Sequence, residues 1–174
     1  MRSRRLPRLP AVLALGALLL SGAPGAIAAS PTAVAPVATW MWPVAPPHPV
    51  VRAYLAPPTP YGAGHRGIDI GAADGSPVLA PDDGVVHFAG VVVDRPVLSI
   101  EHVGGVLSSF EPVTSSLHMG DVVHRGQVVG TLVAGHCASG VCLHLGARVD
   151  GEYVNPLVFL GGVPHAVLYP TRAP

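Results

Sequence analysis

Ala147-Arg148-Val149-Asp150-Gly151-Glu152-Tyr153-Val154 carries the clearest local fold signal in the chain. Two short segments suited to extended backbone flank an Asp-Gly pair, the residue choice of a two-residue β-hairpin turn whose central positions need positive φ. Working outward, Pro and Gly punctuate a series of short, Val-rich apolar runs at 50–54, 85–89, 97–101, 106–110, 128–133 and 144–149. Each run has strand length, and turn residues such as Asp83-Gly84 and Gly104-Gly105 separate them. No window sustains a 3.6-residue apolar period over helical length. The pattern predicts one all-β domain, a sandwich or barrel, with no helix longer than a turn or two.

The first 28 residues read as a secretory signal. Arg2, Arg4, Arg5 and Arg8 form a positive start, residues 11–20 an apolar run, and Ala26 and Ala28 a small-residue cleavage motif. The run is shorter than the roughly 20 residues a bilayer span needs. Ser3-Arg4-Arg5 hints at twin-arginine export, although Pro7 stands where that signal usually carries an aromatic. An Ala/Pro/Thr-rich lead-in at 29–39, a domain at 40–162 and a tail at 163–174 complete the expected organisation.

Removing the signal changes the charge. Four of the ten basic residues lie within it and all ten acidic residues beyond it, leaving six minus ten, a mildly acidic chain. No basic stripe suited to nucleic acid is present. Every basic residue is Arg, with no Lys anywhere. Cys137 and Cys142 are the sole cysteines. In an oxidising extracytoplasmic setting such a close pair reads first as a disulfide.

Chemistry is suggested by His65-Arg66-Gly67-Ile68-Asp69. In an extended segment residues 65, 67 and 69 share a face, with Gly67 leaving room between imidazole and carboxylate. Both are suitable Zn²⁺ ligands. On its own the spacing reads more readily as a surface histidine and a solvated aspartate than as a metal pair, and it needs a third ligand. His144, in a Val/Leu-rich strand, is the candidate, because a buried imidazole is costly unless hydrogen-bonded or metal-bound. By itself it would read as a satisfied core histidine.

The motifs together resemble a known family. His65-x-x-x-Asp69 looks like the first metal motif of the lysostaphin/LytM-type murein endopeptidases. Gly75-Ser76-Pro77-Val78-x-Ala80-x-x-Asp83-Gly84-Val85-Val86 resembles their "GTPV-A-x-x-G-x-V" segment, and Gly120-Asp121-x-Val123-x-x-Gly126-Gln127-x-Val129-Gly130 their "G-D-x-V-x-x-G-Q-x-I-G" strand pair. Leu143-His144 and Asn155-Pro156 match the closing "H-L-H … N/D-P". The resemblance spans 40–160 in the right order. It implies the antiparallel sandwich/barrel hybrid of the lysostaphin (duplicated hybrid motif) type, with His65, Asp69 and His144 as Zn²⁺ ligands. It further implies secretion, association with the cell wall, and action on peptidoglycan stem or cross-bridge peptides. The "G-D-x-V-x-x-G-Q" half-motif also resembles biotinyl and lipoyl carrier domains, but those attach their cofactor to a lysine.

Two positions depart from the family pattern. Where its H-x-H has a first, non-ligand histidine that orients water or the developing oxyanion, this chain has Cys142. Where its "Y-x-H" strand keeps another histidine, it has Pro112, in Phe110-Glu111-Pro112. A positioned acid or base contributes about 10²–10⁴ in rate, and one oxyanion donor roughly 10²–10³. Weak or lost activity is therefore expected, and no catalytic residue is assigned. Glu111 is expected to point away from the site. His102 resembles a position without a chemical role. Cys142 has two readings besides the disulfide, a fourth Zn²⁺ ligand and a nucleophilic thiolate. His48, His87, His118, His124, His136 and His165 read as turn or surface residues, and Trp40 and Trp42 as edge packing. The alternative to a modified endopeptidase is a non-catalytic module that binds wall peptides or regulates another cell-wall hydrolase.

Overall fold

The structure, a computed structural model, describes residues 40–161 apart from Pro60 and Ser139. The expected signal, lead-in and tail lie outside the described residues, as does Gly162 at the end of the expected domain. Eleven strands make up the domain: β1 Val50–Arg52, β2 Gly67–Gly71, β3 Pro77–Leu79, β4 Gly84–Val92, β5 Arg95–His102, β6 Leu107–Glu111, β7 Val113–Thr114, β8 Val122–Val123, β9 Val128–Leu132, β10 Cys142–Val149 and β11 Glu152–Val154. A 3-10 turn at Pro156–Val158 is the sole helical element among the described residues, so no helix there is long and apolar enough to cross a membrane.

Every strand pairing is antiparallel. An eight-stranded sheet runs β1-β2-β10-β6-β5-β4-β8, with β11 added to β10, and a three-stranded sheet runs β3-β9-β7. Neither closes into a barrel. Fully buried Val78 and Leu132 from the small sheet join Ile68, Ile70, Leu98, Ile100, Phe110, Leu143 and Leu145 from the large one in a single apolar cluster. Burying each of the larger side chains stabilises by about 1.5–3 kcal/mol, so this shared core holds the two sheets together.

The hairpin forms as expected. Val149 pairs with Glu152 across Asp150 (φ 50°) and Gly151 (φ 85°), the type I′ geometry. Trp40 differs from the edge-packing expectation. Trp40 is buried, stacks on Phe159 and tilts against His102, so it belongs to the core. Trp42 stacks on His48, whose Nε2 lies 2.9 Å from the Val44 carbonyl, and neither tryptophan lies in a strand.

Candidate metal centre

Three neighbouring strands lay out the site as a row across the large sheet. Asp69 of β2 stands opposite His144 of β10, which stands opposite Glu111 of β6. Alternation along β2 and β10 sends Ile68, Ile70, Leu143 and Leu145 into the core, so the residues between them emerge on the other face. His65 precedes β2 and is held by a bridge to Leu55.

Gly67 has a role other than the one its spacing suggested. A Cβ there would lie 2.6 Å from Nε2 and 2.7 Å from Cε1 of His144, and closer still to the Leu145 carbonyl. The glycine admits the His144 ring over β2, rather than clearing space between His65 and Asp69.

The three residues named by the motif converge. His65 Nε2 lies 3.0 Å from Asp69 Oδ1 and 3.1 Å from His144 Nδ1, and His144 Nδ1 lies 2.8 Å from Asp69 Oδ1. Two imidazole nitrogens and one carboxylate oxygen at these separations form a donor set suited to Zn²⁺. His65 Nδ1 donates to the Ala53 carbonyl at 2.7 Å, which fixes its tautomer with the Nε2 lone pair turned into the cluster. The residues fit a bound divalent metal.

His136, which the sequence reading placed among turn and surface residues, is also in the cluster. Its side chain is 10% exposed; Nε2 lies 3.1 Å from Asp69 Oδ1 and Nδ1 3.0 Å from Glu111 Oε1. It sits on the β9–β10 connection, beside Cys137, which forms a disulfide with Cys142 at the start of β10. Cys142 is therefore neither a thiolate ligand nor a nucleophile. Glu111 also differs from expectation. Pointing opposite to buried Phe110 turns it toward the site, where Arg95 lies 3.5 Å from it.

Burial alone would raise the Asp69 carboxyl pKa. Hydrogen bonds from His136 and His144, with the charges of His136 and His65, outweigh that and hold it well below the usual range. Hydrogen bonds to Asp69 and Glu111 push His136 up to about 9 against its burial, and the His136 bond in turn lowers Glu111. His102 lies apart, its Nδ1 donating to the Asp83 carbonyl and its Nε2 accepting from Ser108 Oγ, both at 2.8 Å. Two clefts reach the cluster. One of about 460 Å³ has His144, Glu111, Arg66, Arg148 and Tyr153 in its wall, and one of about 500 Å³ has Asp69 and His136.

The model of Peptidase family M23 matches residues 63–156. An uncharacterized protein of Mycobacterium tuberculosis is 40% identical over 129 residues, covering 71% of this chain and 52% of that protein. The DD-carboxypeptidase/endopeptidase Mpg of Neisseria meningitidis serogroup B is 33% identical over 94 residues, 53% of this chain and 22% of Mpg. The murein hydrolase activator NlpD of Escherichia coli is 30% identical over 128 residues, 72% of this chain and 32% of NlpD. The chain thus spans about half the length of the first of these relatives and less of the others. Among solved structures, a putative peptidase M23 from Pseudomonas aeruginosa superposes with TM-score 0.58 at 26% identity, covering 72% of this chain and 52% of that one. The catalytic domain of lysostaphin from Staphylococcus simulans superposes with TM-score 0.58 at 21% identity, covering 66% and 92%, a likeness of fold.

Proposed function

The chain belongs to peptidase family M23, and on that premise we propose that it is an exported cell-wall protein whose domain binds Zn²⁺ through His65, Asp69 and His144. Its target is the peptide part of peptidoglycan, and its hydrolysis is slow or lost. The convergence of those three side chains within 2.8–3.1 Å carries the metal part of the reading. The names of Mpg and NlpD support the cell-wall part.

Bound there by three ligands, Zn²⁺ would supply a Lewis acid for a carbonyl and, only where a fourth position stays open, a water of lowered pKa. The Ala53 carbonyl keeps the His65 Nε2 lone pair available, and Gly67 leaves space for the His144 ring. What this chain lacks is the family's pair of free histidines. Pro112 has no ring nitrogen, and the Cys142 sulfur is held in the disulfide. Losing two such groups removes several orders of magnitude in rate, though such effects do not simply add.

A second reading, a module that binds wall peptides or activates another hydrolase, is favoured by the likeness to NlpD over 72% of this chain. Zinc content and peptide cleavage, measured on the unaltered protein and on His65→Ala, test the metal and activity parts of the first reading. Zinc near one equivalent, abolished by His65→Ala, with little cleavage of peptidoglycan peptides is the expected result. Robust cleavage that His65→Ala abolishes would show that the three ligands suffice for activity. Absence of zinc from the unaltered protein would remove the metal part.

A further inference from the structure

We propose that His136 is a fourth ligand of this metal centre, closing it with three imidazoles and one carboxylate. The inference rests on the reading that the centre binds metal, and it deepens that reading.

The first ground is distance. One ligand atom from each of His65, Asp69, His136 and His144 lies within 4.8 Å of all the others. Zn²⁺ with bonds of about 2.0–2.1 Å in tetrahedral array sets its ligand atoms roughly 3.3 Å apart. His136 Nε2 is 3.1 Å from Asp69 Oδ1, in line with the 2.8–3.1 Å separations among the other three.

The second ground is what the other ring nitrogen does. A metal-bound histidine almost always gives its free N–H to a carboxylate or a backbone carbonyl, which orients the ring. His65 does so with the Ala53 carbonyl, and His136 Nδ1 faces Glu111 Oε1 in an ion-pair contact at 3.0 Å, with Arg95 Nη1 3.4 Å from the same nitrogen. His136 aims Nε2 at Asp69 Oδ1, itself a ligand atom.

The third ground is anchoring. His136 comes from a connection between strands, where a lone ring would have several orientations. Covalent linkage of the next residue, Cys137, to Cys142 ties that connection to β10 two residues from His144, with the two Cα atoms 6.0 Å apart. The disulfide thus positions a residue of the centre, in addition to stabilising a loop. A closed four-ligand shell leaves no open position for water, which gives slow hydrolysis a structural cause.

The test counts imidazoles by zinc-edge X-ray absorption and measures zinc affinity by chelator competition. The unaltered protein, His136→Ala, Glu111→Gln and His65→Ala are compared. Three imidazoles are expected in the unaltered protein and two in His136→Ala. Removing a partner that merely orients a ligand costs about 10–100-fold in affinity, so Glu111→Gln should fall in that range and His136→Ala beyond it. Two imidazoles in the unaltered protein, or unchanged affinity in His136→Ala, would overturn the proposal and leave His136 a proton-transfer or packing role. The count on the unaltered protein needs no variant to fold. Undiminished zinc binding by His65→Ala would instead strike at the centre itself.

Discussion

Gly67→Ala should release the metal from a chain that still folds. The glycine's φ lies outside the left-handed region, so alanine meets no backbone strain there; the obstacle is space. The new Cβ would lie 2.6 Å from His144 Nε2, and reaching the 3.0 Å floor seen for real Cβ contacts requires a shift of at least about 0.4 Å (3.0 minus 2.6). A rigid ring displaced by that amount carries its ligand atom Nδ1 with it, against the roughly 0.2 Å tolerance of metal–ligand distances. The Leu145 carbonyl, closer still, belongs to the β2–β10 ladder and has no rotamer with which to yield. Overpacking of this kind costs about 1–3 kcal/mol, within the roughly 5–15 kcal/mol by which domains are stable. At about 4 °C per kcal/mol for this size, the melting temperature should fall by about 4–12 °C. Gly71→Ala is the control in the same strand, since its Cβ would meet the Pro49 and Val51 side chains at 3.2–3.3 Å and the Pro49 carbonyl only at 3.7 Å, an ordinary contact. Calorimetry with and without zinc, together with metal content, reads both variants. If Gly67→Ala keeps full zinc and the melting temperature of Gly71→Ala, the argument that His144 needs this glycine is wrong.

Other outcomes follow from the same structure. Replacing both Cys137 and Cys142 with serine should cost about 2 kcal/mol by loop entropy and should also weaken zinc binding, because His136 loses its anchor. Equal zinc affinity before and after would count against that positioning role, and the mass of the non-reduced protein checks the bond itself. Burial holds His102 below the ordinary imidazole range, against smaller opposing effects from Asp82 and Asp83. A depressed folded-state pKa contributes stability above the unfolded value near 6.5 and loses it as pH falls through the folded one. The melting-temperature advantage of the unaltered protein over His102→Gln, measured with chelator present, should therefore shrink from about pH 7.5 to about pH 5. An advantage that grows over that range would reverse the sign.

Much of this protein was legible from its residues because the relevant signals are local. Asp150-Gly151 specifies its turn through two positive-φ positions, whatever surrounds it. The β-branched runs specify strands, and alternation along β2 and β10 places Asp69 and His144 opposite the core residues. Two short strands, β3 and β7, left no run in the Val-rich pattern; pairing with β9 across the small sheet defines them. The composition of the site depended on register and on loop placement. Glu111 was expected to point away because its direction was reckoned along its own strand, whereas pairing with His144 decides which face holds the site. His136 has no spacing relation to Asp69, 67 residues earlier, and lies outside the strands, so alternation says nothing of it. Only the closing of β10 against β2, with the Cys137–Cys142 bond drawing the loop over, brings its ring to the carboxylate. Sequence alone pointed to most of the strands through local periodicity and to three members of the cluster through motif resemblance; the fourth member and its carboxylate partner required the long-range pairing that only the tertiary structure supplies.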